Sequence, residues 1–192
     1  MPKQGMEPIR REALIAATIA EIGATGSLDI TVSAIARRAG VSSGLAHHYF
    51  GGKDQIFLAT MTHILSSYGQ EARAALRAAT SPRDRLVGIV EAGFSGDNFQ
   101  RAVVSAWMNF YALALSSPDA NRLLSIYQSR LRSNLRHALR PLVRQPEQAA
   151  ERIAALIDGL YLREGLGAAP DGARATATIL RQLDLELARA TQ

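Results

Sequence analysis

The chain has 192 residues, a net charge of +5, 47% hydrophobic residues and no cysteine. That length supports one or two compact units with a real core, and the absence of cysteine excludes disulfides and thiolate chemistry. The opening, MPKQGMEPIRRE, has no apolar stretch to serve as a secretion signal, and no run is apolar enough to span a membrane. The expected location is cytoplasmic, with no membrane partner. A positive balance favours polyanions. Residues 1–60, however, hold six basic groups against five acidic ones, so nucleic-acid contact there must rest on placement rather than bulk attraction.

Pro8 suits a first helical turn. Leu14, Ile15, Thr18, Ile19 and Ile22 follow at helical spacing, and Gly23–Gly26 is expected to end this helix. Arg10 and Arg11 read equally as phosphate contacts or as a solvated first turn. Thr31 can cap a second helix whose apolar face is Val32, Ile35, Ala36 and Ala39. Gly40 supplies the left-handed residue that stops it. Ser42 caps a third helix, in which Leu45, Tyr49 and Phe50 are expected inside and Ser43, Ala46, His47 and His48 outside. Two short helices joined by a glycine-containing turn form a helix-turn-helix pattern, and the small residues at the start of the second suit close approach to base edges. The candidate DNA contacts are Thr31, Ser33, Ser42, Ser43, Gly44, His47, His48, Tyr49 and Lys53. Lys53 and the free N–H groups of a fourth helix are placed to hold a phosphate.

The run Val41, Ser42, Gly44, His48, Tyr49, Phe50 and Lys53 resembles the DNA-binding domain of the TetR family of bacterial repressors. The resemblance implies an all-α, TetR-like fold of about nine helices. A helix-turn-helix head, residues 1–55, is followed by an effector-binding and dimerisation domain, residues 56–192. Position 47 departs from the pattern: the family usually carries an aromatic where this chain has His47, which removes the phosphate contact expected of a tyrosine hydroxyl.

The fourth helix is expected over 54–79, linking head to body, with a break at Thr80-Ser81-Pro82 and a fifth helix over 82–94. Residues 98–115, NFQRAVVSAWMNFYALAL, read as a helix apolar on nearly all sides, hence central. A seventh helix is expected over 119–140. From Arg122 to Arg144 there are six arginines and no acid, either a second polyanion surface or, more simply, a solvated helix face. Helices eight (146–165) and nine (173–190) are amphipathic. Because one short recognition helix reads few base pairs, a two-fold dimer is expected. Its candidate surface is Ile153, Leu156, Ile157, Leu160, Leu180, Leu183 and Leu187.

Three of the eleven aromatic residues, Trp107, Phe110 and Tyr111, cluster at helical spacing, and Asp158 and Tyr161 lie in the apolar run IAALIDGLYL. Glu91 is a second acid within an apolar helix. Buried acids are costly unless paired, so Asp158 and Glu91 either meet Arg152 or Arg163 or face a cavity that takes a cation. Aromatic faces with a carboxylate suit a quaternary ammonium, which has no N–H to donate. The candidate effector residues are Glu91, Trp107, Phe110, Tyr111, Asp158 and Tyr161. The opening segment, SAWMNFYALAL and ALIDGLYLREGL extend the resemblance to the choline-responsive repressors of the family. It implies a homodimer that releases operator DNA on binding choline and controls choline-to-glycine-betaine genes. A sensor of another organic cation, a drug or dye, controlling an efflux gene is the alternative. His47 and His48 are adjacent and point to different sides, and there is no metal-spaced cluster or nucleophile–base pair. No enzymatic activity, metal or cofactor is expected.

Overall fold

The computed structural model describes residues 5–190; within them the chain forms nine α-helices and no strand. Helix α1 spans Met6–Thr25, α2 Val32–Arg38, α3 Ser43–Phe50 and α4 Lys53–Ala78. Helix α5 spans Pro82–Gly93, α6 Arg101–Ala114, α7 Pro118–Leu139, α8 Pro146–Gly165 and α9 Gly172–Ala190. Local chemistry sets the boundaries. Hydroxyls of Thr31, Ser42 and Ser117 accept backbone N–H groups of Ala34, Leu45 and Ala120 at the starts of α2, α3 and α7. Ser81 and Asp84 form a reciprocal capping box on α5.

Two apolar cores are built from these helices. The first joins α1 (Leu14, Ile22), α2 (Ile35, Ala36), α3 (Ala46, Phe50) and α4 (Ile56, Phe57, Met61) to the inner face of α6 (Trp107, Phe110). The second is formed by α5, α7, α8 and α9 around Leu86, Ile89, Leu135, Leu139, Ile153, Ile179 and Leu183. Helix α6 is central, as its apolar pattern required, packing on α1, α4, α7 and α8. It begins only at Arg101, because residues 97–100 turn and the Asn98 amide donates to the Ala92 carbonyl at 2.9 Å. Its outer face reaches water: Leu115, just past its end, is 91% exposed.

Three expectations change with packing in view. Helix α1 runs through Gly23 and stops at Gly26, which has a φ of 69°. Gly23 is a packing residue: a Cβ there would lie 2.5 Å from the Ala102 Cβ and 2.9 Å from its Cα. Ala46 is fully buried, whereas Leu45 and Tyr49 are half-buried, because α3 turns its Ala46–Phe50 edge to the core. Finally, Ile153, Ile157, Leu160 and Leu183 are buried within the single chain. They hold α8 and α9 onto the second core and cannot form a surface for another copy. Leu156, Leu180 and Leu187 are half-buried against the same core. Ion pairs clip α9 to α8: Arg152 is bidentate to Glu186 at 2.8 and 2.6 Å, and Arg174 pairs with the buried Glu164.

Gly23→Ala improves intrinsic helix propensity, yet it forces the α1 and α6 backbones apart. It is expected to destabilise the protein by about 1–3 kcal/mol, read as a lower denaturation midpoint at matched protein concentration.

Candidate functional site

The chain presents two distinct sites, one on the head and one between the cores. On the head, Thr31, Ser33, Ser42, Gly44, His47, His48 and Lys53 are exposed, while Ser43 and Tyr49 are half-buried. The α2–α3 corner is closed by the Val41 amide donating to the Ala36 carbonyl at 3.0 Å. A hydroxyl pair, Ser43 to Ser33 at 3.1 Å, also spans the two helices. A Cβ added at Gly44 would meet no atom of the chain within 4 Å. The bare backbone there serves no internal contact, which is what an external surface pressed against the helix start requires. Gly52 supplies no side-chain cap to α4, so the first N–H groups of that helix, beside the exposed Lys53, remain open to an anion.

Arg11 resolves to the internal of its two readings. Its guanidinium donates to the Tyr49 carbonyl at 2.5 Å and lies 4.3 Å from the centroid of Phe50. It ties the last turn of α3 to α1 and so orients the recognition helix from behind.

The second site is a small cavity of about 20 Å³. It is walled by Trp107 and Tyr111 from α6, Tyr68 from α4, Tyr127 from α7, and Ile157, Asp158 and Tyr161 from α8, with Gly93 and Asn98 at one end. Trp107 is the hub: its ring lies 4.9 Å from Tyr127, 5.7 Å from Tyr111 and 6.2 Å from Tyr161. Tyr68 meets Tyr127 edge-on at 5.8 Å. The Tyr161 hydroxyl donates to the Asn98 carbonyl at 2.8 Å, and the Tyr127 hydroxyl reaches Asp158 Oδ1 at 3.5 Å.

Asp158 is the one carboxylate in this lining. Burial pushes its pKa up from 3.8 to about 6, against the opposing pull of the Tyr127 hydrogen bond and the Arg132 charge. Burial also raises the phenols of Tyr68, Tyr111, Tyr127 and Tyr161, so the rings stay neutral. The arrangement is a ring of neutral π faces around one carboxylate whose ionisation is held back by its surroundings.

Of the residues singled out from the sequence, Trp107, Tyr111, Asp158 and Tyr161 come together. Phe110 does not: it is fully buried in the first core, edge-on beneath Trp107 at 5.7 Å. Glu91 is exposed on the opposite face of α5 from the buried Val90 and Ala92 and takes no part in the cavity. Arg152 is committed to Glu186 and Arg163 is exposed, so neither neutralises Asp158. Tyr68 and Tyr127 were not foreseen. Each stands alone among mostly polar or small neighbours, Tyr68 between Ser67 and Gly69 and Tyr127 between Ile126 and Gln128, and only the packing of α4 against α7 brings them to the Trp107 cavity.

Residues 82–188 match the family model described as BetI-type transcriptional repressor, C-terminal, and residues 14–60 match that of bacterial regulatory proteins, tetR family. The chain is 48% identical over 190 residues to the HTH-type transcriptional regulator BetI of Brucella melitensis biotype 2, covering 97% of this chain and 96% of that one. The chain belongs to the TetR family and is of the BetI type. The BetI regulator of Rhizobium meliloti is 46% identical over 181 residues, covering 93% of this chain and 89% of that one. Among solved structures, a transcriptional regulator from Pseudomonas aeruginosa PAO1 superposes with a TM-score of 0.80 at 28% identity, over 93% of this chain and 91% of that one. A regulator from Saccharomonospora viridis, solved in complex with choline, shares the fold at a TM-score of 0.77 and 20% identity, over 91% and 95% of the two chains. These relatives are regulators of transcription, not enzymes. No helix among the described residues of this BetI-type repressor is long and apolar enough to cross a membrane.

Because the native pKa of Asp158 lies above its unfolded value, the folded chain keeps between about pH 4 and pH 6 a proton that the unfolded chain has lost. Stability therefore declines as pH rises through that window. Asp158→Asn should flatten this slope and melt higher than the parent at pH 7, measured by thermal denaturation from pH 4 to pH 8.

Proposed function

We propose that this BetI-type repressor acts as a homodimer that holds operator DNA until choline, or a closely related quaternary ammonium, enters the Trp107 cavity. Its targets in this reading are the genes that convert choline to glycine betaine. The observation that carries the proposal is the convergence of five aromatic rings, Tyr68, Trp107, Tyr111, Tyr127 and Tyr161, on the single carboxylate of Asp158. A quaternary ammonium offers no N–H, so ring quadrupoles and one negative charge are its natural partners, each ring contributing roughly 0.5–2 kcal/mol. The choline held by the Saccharomonospora regulator, a protein of the same fold, supports the same ligand.

The cavity's size supplies the mechanism. About 20 Å³ accommodates roughly one water molecule, so a trimethylammonium group enters only when the rings part. Tyr68 is the wall carried by α4, and α4 begins at Lys53 on the head. Fifteen residues of helix separate the two, about 22 Å at 1.5 Å per residue. A displacement of Tyr68 thus moves the element that also sets the position of the recognition helix. A coupling of about 1–3 kcal/mol between cavity and head suffices for a graded switch. In this reading the two heads of the dimer stand at the spacing of two half-sites, and ligand favours the arrangement in which they do not. The dimer surface in this reading is the outer face of α8 and α9, where Leu185 of α9 is 55% exposed and Leu166, just past α8, is 74% exposed.

Two measurements test this. With Trp107→Ala, protein that is folded and binds operator DNA should need at least about ten-fold more choline for release in a gel shift, the loss of one strong cation–π face. Normal release by that variant would overturn the cage assignment. Choline affinity should also fall as pH drops below about 6, where Asp158 takes up its proton, and Asp158→Asn should bind choline weakly at every pH. Both are read by isothermal titration.

A further inference from the structure

A feature left unused by that mechanism adjoins the cage. Between α4 and α7 lies a groove of about 300 Å³ whose lining includes Tyr68 and Tyr127, the same two rings that wall the Trp107 cavity. Beyond those rings the groove changes character. Arg73 from α4 and Arg130 from α7 line it, with Ser66 and Asn134, and no carboxylate belongs to its lining. Neither guanidinium forms an ion pair among the described residues, where the paired arginines are Arg38, Arg83, Arg132, Arg152 and Arg174. Arg73 is exposed, yet its guanidinium stays close to its own helix. Its Nη1 lies 3.3 Å from the position a Cβ would take on Gly69, so the guanidinium folds back over the α4 backbone at the groove.

Arg73 and Arg130, both exposed, line one groove from two helices with no acid among its lining, an excess of positive charge that an anion would offset. Their planar forks match the oxygens of phosphate and sulfate. We propose that this groove is an anion subsite joined to the aromatic cage, and that together they bind a quaternary ammonium alcohol esterified with phosphate or sulfate. The proposal rests on the cage reading given above and adds the second half of the ligand. Spacing favours an ester over a betaine. Arg130 lies one helical turn beyond Tyr127, about 4.5 Å along α7, and Arg73 lies about 7.5 Å beyond Tyr68 along α4. In a choline ester four bonds separate the nitrogen from the phosphorus or sulfur, long enough to pass the Tyr68–Tyr127 pair. In glycine betaine only two bonds separate the nitrogen from the carboxyl carbon, so both charges stay on the cage side. All six arginines of this acid-free stretch are exposed, and Arg130 is the one that lines the groove.

The test is isothermal titration of the full-length protein with choline, O-phosphocholine, choline O-sulfate, glycine betaine and inorganic phosphate. The proteins are the wild type, the Arg73→Gln/Arg130→Gln double variant and Trp107→Ala. The expected result is binding of at least one ester by the wild type, weakened about ten-fold or more in the double variant by loss of charge-assisted hydrogen bonds. Choline affinity should stay within about two-fold in the double variant, and the ester should be lost in Trp107→Ala. The tighter of the two esters names the anion. Undiminished ester binding by the double variant overturns the proposal, as does equal weakening of choline. Phosphate binding that depends on the arginines but not on Trp107 also overturns it, since the groove would then be a separate anion site. If choline binds and requires Trp107 while neither ester binds, the anion subsite falls and the cage stands. If no quaternary ammonium binds the wild type, both readings fall.

Discussion

Asp158 sits where a carboxylate is expensive, held by hydroxyls of Tyr127 and Tyr111 and with no ion-pair partner among the described residues. A structural role would favour an amide or an aliphatic residue at that position, because an uncompensated charge in a largely buried site costs more than it returns. The surrounding helices nonetheless bring five aromatic faces to it, and the arginine that acts on it, Arg132, contacts Glu151 at 3.8 Å rather than Asp158. The arrangement makes sense if the missing compensation is supplied from outside by a cation. It also explains why the aromatic residues are mostly tyrosines: a phenol offers a π face to the ligand and a hydroxyl to hold the wall, as Tyr161 does on the Asn98 carbonyl.

The same rings connect the two cores. Trp107 belongs to the core that α6 shares with the head, while Tyr127 and Tyr161 pack against both cores. The cavity is therefore not a pocket hung on a finished domain; it lies at the seam. Close backbone contacts brace α6 on both sides, at Gly23 of α1 and at Gly165 of α8, where a Cβ would come within 2.3 Å of Val104. With α6 braced this way, rings entering the cavity from α4 and α7 are the ones free to give. Packed interiors do not deform smoothly, so in the proposed mechanism parting Tyr68 and Tyr127 would shift α4 as a unit.

Much of this was legible in the chain itself. The nine helices and the two caps of the helix-turn-helix follow from hydroxyls, glycines and prolines at helix ends, which act locally and leave local marks. Trp107, Tyr111, Asp158 and Tyr161 were visible because aromatic and acidic residues stand out in apolar helices. What could not be read was which face of each helix meets which neighbour. Glu91 and Asp158 look alike in sequence, each an acid in an apolar stretch, but α5 turns Glu91 outward and α8 turns Asp158 inward. Ala46 and Gly23 were misplaced for the same reason, since small residues fit either a surface or a close approach. Tyr68 and Tyr127 carry no mark at all until α4 and α7 are set side by side.

The weak charge of the head follows from this architecture. With six basic and five acidic groups in residues 1–60, bulk attraction to a phosphate backbone is modest, and in the proposed reading binding depends on fit: the bare Gly44 backbone, the capped start of α3 and the open start of α4. Arg11, a cation that could have served DNA, is instead used to fix α3 from behind through Tyr49 and Phe50. A head held by geometry rather than by charge is one that a small movement of α4 can dislodge. A strongly basic head would keep its grip through the same displacement, because Coulomb attraction falls slowly with distance while a groove fit is lost within an ångström or two. The modest charge and the helix that runs from Lys53 to Tyr68 both fit the proposed switch, in which a ligand worth a few kcal/mol decides whether the protein stays on its DNA.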